Sequence, residues 1–123
     1  MDIGEILRSV LNNANDVFYR TDREGRVVWV SPSTIKMLGY KSVDELLGRK
    51  LAEDFFSNPE QRHIFLEKLI KNGKVNDYEV ELRKADGTTI TVSTNSHYYK
   101  DDSGNIAGVE GICRDITDRK RVE

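Results

Sequence analysis

Residues 78–83 alternate apolar and polar: Tyr78, Val80 and Leu82 share one parity, and Glu79, Glu81 and Arg83 the other. Successive side chains of a strand point to opposite faces, so this segment predicts a strand with one buried and one wet side. Past a turn at Asp86-Gly87, Ile90 and Val92 set the apolar parity of a second strand. They carry Thr94, Ser96 and Tyr98 inward with them and leave His97 on the outer side. A third strand over residues 108–116 follows the turn at Ser103-Gly104, completing an antiparallel set.

The first half predicts two shorter strands joined by a turn at residues 22–25, then helices. Ser31 is placed to cap a short helix that has Pro32 at its first position and stops at Gly39. Ser42 and Glu45 have capping-box spacing for a second short helix that ends at Gly48. Asn58-Pro59 with Gln61 starts the longest internal helix, which runs to Asn72-Gly73 and is expected to bury Phe65, Leu66, Leu69 and Ile70. Helices lying across one face of a sheet leave room for a cavity between the two layers.

Both ends predict helices that reach beyond this unit. Residues 1–15 read as an amphipathic helix: Asp2 and Glu5 have capping-box spacing, and Ile3, Ile6, Leu7, Val10 and Leu11 form one apolar stripe. That stripe is covered either by the domain's own sheet or by a second copy of the chain, which would make a homodimer. At the other end Thr117 is a good N-cap, and Asp118 places an acid in the first turn of a helix begun by residues 118–123. So short a helix is not stable alone, which predicts that the domain feeds a longer protein.

Charge and composition then narrow the function. A net charge of -2, from 19 basic and 21 acidic residues interspersed along the chain, gives no footprint for nucleic acid or an anionic membrane surface. No apolar run is long enough to span a bilayer and no secretory leader precedes the fold, so no direct membrane contact is expected. A single cysteine excludes an internal disulfide and favours a cytoplasmic location. Two histidines and that cysteine make no spaced metal cluster; no glycine run cradles phosphate and no serine has a nucleophile-elbow context. No catalytic residue is predicted within these 123 residues. A small enzyme built on a curved sheet would need two inward ionisable groups, and alternation secures none.

What the inner parity does offer is hydroxyls, at Tyr78, Thr94, Ser96 and Tyr98. Each needs a partner, because an unpaired buried hydroxyl costs about 1 to 3 kcal/mol. Backbone groups, ordered water or a small polar ligand would supply them.

Several short motifs occur here in a telling order: DVFYRTD at 16–22, GRVVWVS at 25–31, MLGY at 37–40, ELLGR at 45–49, KADGT at 84–88 and a closing Asp-Ile-Thr at 115–117. Together they resemble the PAS family of sensory domains over residues 16–117. The resemblance implies an α+β fold, a five-stranded antiparallel sheet in the order 2-1-5-4-3 with helices on one face. It also implies that Tyr19 and Thr21 point inward from the first strand, and Val109, Gly111 and Cys113 from the last. The ligand-binding set expected on this basis is Tyr19, Thr21, Tyr78, Val80, Leu82, Thr94, Ser96 and Cys113.

The same resemblance frames the cofactor question. Light-sensing PAS relatives carry a flavin-reactive cysteine just after the Gly-Arg pair that ends the second short helix, but here Gly48-Arg49 is followed by Lys50 and Leu51. Cys113 falls instead where those relatives hold a flavin-contacting glutamine, so adduct photochemistry is not expected, whereas non-covalent flavin stays open. Oxygen-sensing relatives bind haem through a histidine on the long helix, which makes His63 the one candidate iron ligand. The expected cofactor is none, or an unidentified small molecule. The implied function is a sensory or signal-relay module of a larger protein, first of all a sensor histidine kinase. A cyclic-dinucleotide synthase or a transcription regulator is an alternative parent. Asp115 and Thr117 are the expected output joint towards the downstream effector domain; Asp115 is expected to bond the helix start or pair with Arg83 or Lys84.

Overall fold

A computed structural model of the chain describes residues 3–5 and 16–117. Residues 3–5 are helical, and Ile3 is 75% exposed. The other stripe positions, Ile6, Leu7, Val10 and Leu11, lie outside the described residues, as do residues 118–123 of the expected connector.

The described chain runs β1 (Asp16–Thr21), β2 (Val27–Val30), α1 (Ser33–Leu38), a 3-10 turn (Val43–Glu45), α2 (Leu51–Phe55), α3 (Pro59–Asn72), β3 (Lys74–Arg83), β4 (Thr89–Lys100) and β5 (Ile106–Asp115). The strands form one antiparallel sheet in the order β2-β1-β5-β4-β3, as the sequence resemblance implies. Period-two alternation holds along β1, where Val17, Tyr19 and Thr21 are buried between less buried neighbours. It also holds along β4, where Ile90, Val92, Thr94 and Ser96 are buried. The core forms where this face meets the helices, around Leu46, Phe55, Leu69 and Val92.

Local chemistry explains most helix ends and corrects some expectations. Asn58 caps α3 by accepting the Glu60 N–H at 3.0 Å, and Gly73 closes it with a φ of 77°, a left-handed conformation that suits glycine. Phe65 and Leu69, one turn apart, carry the buried row of α3. Leu66 is half-buried and Ile70 is 74% exposed, so the apolar stripe of this helix is narrower than its sequence predicts. Ser31 does not cap α1, because its hydroxyl accepts the Phe18 N–H at 3.0 Å and bonds Ser33, tying the helix start to β1. The Ser42 capping box does not form either: Glu45 accepts the Lys41 N–H at 3.0 Å, and the segment is a three-residue 3-10 turn.

Two features have no counterpart in the sequence pattern. Helix α2 forms without a side-chain cap, held by Phe55 in the core and Leu51 packed against it. In β3 a bulge between Val75 and Tyr78 lets both residues pair with inward positions of β4. At its centre Asp77 adopts a φ of 49° and donates its N–H to Asn95 Oδ1 at 2.7 Å.

Each sheet edge has one residue whose backbone groups are engaged by a neighbouring segment. Val27 at the β2 edge gives its N–H to Arg49 and takes that of Gly48, each at 2.8 Å. At the β3 edge Glu81 accepts the Ser57 N–H at 3.0 Å and donates its own to Gln61 Oε1.

Candidate functional site

Between the sheet and the helices lies a cavity of about 50 Å³. Val17 and Tyr19 of β1, Val80 and Leu82 of β3, Thr94 of β4 and Cys113 of β5 form its sheet wall. Thr34 and Leu38 of α1, Phe55 of α2 and Phe65 of α3 are among the residues that close it from the helix side. Five of the eight expected ligand-binding residues therefore meet at one place: Tyr19, Val80, Leu82, Thr94 and Cys113.

The other three lie elsewhere. Ser96 is buried beyond the wall, behind Tyr19. Thr21 is buried too, but its hydroxyl bonds both backbone groups of Val109 and pins β1 to β5. Tyr78 is half-buried over Phe65, with Lys68 5.7 Å from its ring centre, and is not part of the cavity wall although it pairs with Thr94.

The inward hydroxyls satisfy one another. Tyr19 bonds Ser96, Ser96 bonds Thr94 at 2.9 Å, Thr94 donates to the Ile112 carbonyl at 3.2 Å, and the Cys113 thiol donates to Thr94 at 3.4 Å. One orientation spends every hydrogen in the group: Tyr19 to Ser96, Ser96 to Thr94, Thr94 to the carbonyl. Burial pushes the Tyr19 phenol above its ordinary value. Burial likewise pushes the Cys113 thiol up to about 11, against the opposing effect of its bond to Thr94. Both groups are therefore neutral at pH 7, as donors in such a chain must be.

Thr34 is the residue that sequence reasoning missed. It is 4% exposed, lines the cavity, and its Oγ1 has no hydrogen-bond partner. The available signal was its spacing, three and four residues before Met37 and Leu38, which puts a hydroxyl on the apolar face of α1.

Neither candidate cofactor fits. His63 is exposed on α3 and is not part of the cavity wall, so it does not reach a haem iron from there. A cavity of about 50 Å³ is also far below the roughly 300 Å³ at which pockets for cofactor-sized ligands begin. Among the described residues no cluster of ligating side chains suits a metal ion. On the outer face His97 bonds Glu110 at 3.0 Å; Glu110 pairs with Arg20 at 2.7 Å, and Arg20 lies 4.2 Å from the ring centre of Tyr99. Burial opposes ionisation of Glu110, but hydrogen bonds from Arg20 and His97 prevail and hold its carboxyl below its ordinary value.

At the end of β5, Asp115 Oδ1 accepts the N–H of Thr117 at 2.9 Å and its hydroxyl hydrogen at 2.6 Å. Asp115 thus bonds the exit turn, as one of its two expected roles requires, and makes no pair with Arg83 or Lys84 among the described residues. Thr117 Oγ1 accepts the Thr91 N–H at 3.0 Å, and the Thr91 carbonyl takes the Ile116 N–H at 2.9 Å. The exit is therefore bonded to β4.

A sheet of this order with helices over a small internal cavity is the architecture of a sensory domain. The chain matches the PAS domain family over residues 15–118 and belongs to it. It resembles the PAS domain of a protein from Colwellia psychrerythraea at 21% identity and TM-score 0.80, covering 96% of this chain and 100% of that one. An RNA-binding light-oxygen-voltage receptor matches at 20% identity and TM-score 0.75, over 96% of this chain and 34% of the receptor. A PAS domain from a two-component sensor histidine kinase matches at 16% identity and TM-score 0.72, over 91% and 95% of the two chains. No curated protein matches. No helix among the described residues is long and apolar enough to cross a membrane.

Proposed function

We propose that this PAS domain is a ligand-responsive relay in a larger cytoplasmic regulatory protein, a sensor histidine kinase first among the parents. The observation that carries this reading is on β4. Thr94 forms part of the cavity wall, and Thr91, three residues earlier on the same strand, holds both Ile116 and Thr117. A ligand that displaces Thr94 thereby strains the bonds at which the chain leaves the sheet. Caps of this kind are worth about 0.5 to 2 kcal/mol, enough to move a two-state output roughly two-fold to thirty-fold. The resemblance to a histidine-kinase PAS domain supports the choice of parent.

The same reading makes the protein a homodimer through the stripe of Ile3, Ile6, Leu7, Val10 and Leu11, with the downstream effector domain as its partner in the same chain. In support, Ile3 is exposed, and Val28 and Trp29 on the outer side of β2 are each 45% exposed. The test is Asp115→Ala and Thr117→Val in the full-length parent, with output measured beside unfolding midpoint. Output is expected to change well beyond the loss of folded protein; a change in proportion to lost folding defeats the relay. Leu7→Asp with Val10→Asp is expected to shift the light-scattering mass to the monomer.

A further inference from the structure

We propose that the cavity takes a small, mostly apolar molecule carrying a single hydrogen-bonding group, and that Thr34 engages that group. The inference rests on the sensory reading above and specifies its ligand. On the sheet side every hydrogen of Tyr19, Ser96, Thr94 and Cys113 is already spent within their own chain of bonds. A polar metabolite would have to break that chain to be recognised. Thr34 is different: it is buried on the wall with an unmet hydroxyl, a condition that folded proteins rarely leave standing. A helical threonine divides between two χ1 wells, and passing from one to the other swings Oγ1 by about 120° around the Cα–Cβ bond. The hydroxyl can thus be turned to a guest without moving the helix.

Water is a poor guest here. A buried water needs about two to four polar partners, and among the described residues Thr34 alone has a buried side-chain oxygen without one. Size sets the other limit: one water occupies about 10 to 15 Å³ of such space, so about 50 Å³ holds a molecule of roughly three to five heavy atoms. Short alcohols and ketones have this size and this single polar group.

The test is to titrate the 123-residue chain with xenon, propan-2-ol and ethane-1,2-diol while following the methyl signals of Val30, Leu38 and Val80 by NMR. Saturable shifts are expected with xenon and propan-2-ol and none with ethane-1,2-diol, which matches propan-2-ol in heavy atoms but carries a second hydroxyl. Thr34→Val is expected to keep xenon binding, raise the unfolding midpoint by removing the unmet hydroxyl, and weaken propan-2-ol about two- to tenfold. Thr34→Ser, which restores the hydroxyl, is expected to recover the preference for propan-2-ol. Ethane-1,2-diol binding as tightly as propan-2-ol overturns the proposal, and so does an equal loss of xenon and propan-2-ol in Thr34→Val. Because binding is read at the cavity methyls, its failure removes the ligand class and leaves standing the relay, which is tested at Asp115 and Thr117.

Discussion

On the inner face of the sheet Tyr19, Ser96, Thr94 and Cys113 bond one another in a chain, whereas on the outer face of the same strands Arg20, His97 and Glu110 form a solvent-facing polar cluster. Arg20 and His97 are about half exposed, at 49% and 54% of their side chains. Each face satisfies its polar groups, but by opposite means. Inner groups have no alternative to each other, so losing one strands the rest. Outer groups can turn to solvent at once, so their pairing contributes little. Loss of one group on the inner face is thus felt by the others, whereas the outer face absorbs such a loss into solvent.

The sharpest way to break this contrast lies at two neighbouring positions of β5. A Cβ added at Gly111 would overlap the Asn95 carbonyl and the Ser96 hydroxyl, whereas Ile112 points outward and is half-buried. Gly111→Ala is expected to cost about 3 kcal/mol or more by overpacking the centre of the sheet. Ile112→Ala should cost less, which inverts the usual order in which removing an isoleucine is the harsher change. Chemical denaturation of the two variants measures both.

A second test uses pH. Cys113 ionises at about 11 in the fold, against an ordinary value of 9.0. The unfolded chain therefore loses this proton first. Its contribution to stability is complete below pH 9 and is lost as pH rises through 11, a fall of roughly 2 to 3 kcal/mol. Tyr19, raised in the same direction, adds to the loss at higher pH. Unfolding midpoints of the wild type should drop across this range more steeply than those of Cys113→Ala.

The smallest effects compare polar groups across the sheet. Ser96→Ala removes the middle of the inner chain and leaves Tyr19 without its bond, at an expected cost of about 1 to 2 kcal/mol. Glu110→Ala breaks the outer cluster and should cost below about 1 kcal/mol, a difference that added salt shrinks further. Equal costs for the two would show that the faces do not differ in the way described.

How much of this was legible in the sequence differs from element to element. Strand faces were, because a period of two assigns Val80, Leu82, Ile90 and Val92 from their neighbours alone. So was the longest helix, whose Asn58 cap and Gly73 stop are local chemistry. The bulge at Asp77 was not, since it depends on Asn95 from a strand 18 residues away. Tyr78 keeps the inward parity that its neighbours assign but packs over Phe65 outside the cavity wall. The hydroxyls could be counted from the sequence, but not that residues 19, 94, 96 and 113 stand within bonding distance of one another. Helix α2 has no cap to announce it, and Ile70 sits in an apolar run that the helix turns outward.

The engaged edge groups of β2 and β3 carry a consequence for assembly. A strand arriving from another molecule at β2 or β3 finds the backbone groups of Val27 and Glu81 already engaged by Arg49, Gly48, Ser57 and Gln61. Open edges would permit stacking with almost any extended peptide, since main-chain ladders ignore sequence. A main-chain ladder begun at either edge is therefore interrupted at Val27 or Glu81, which disfavours open-ended stacking of strands.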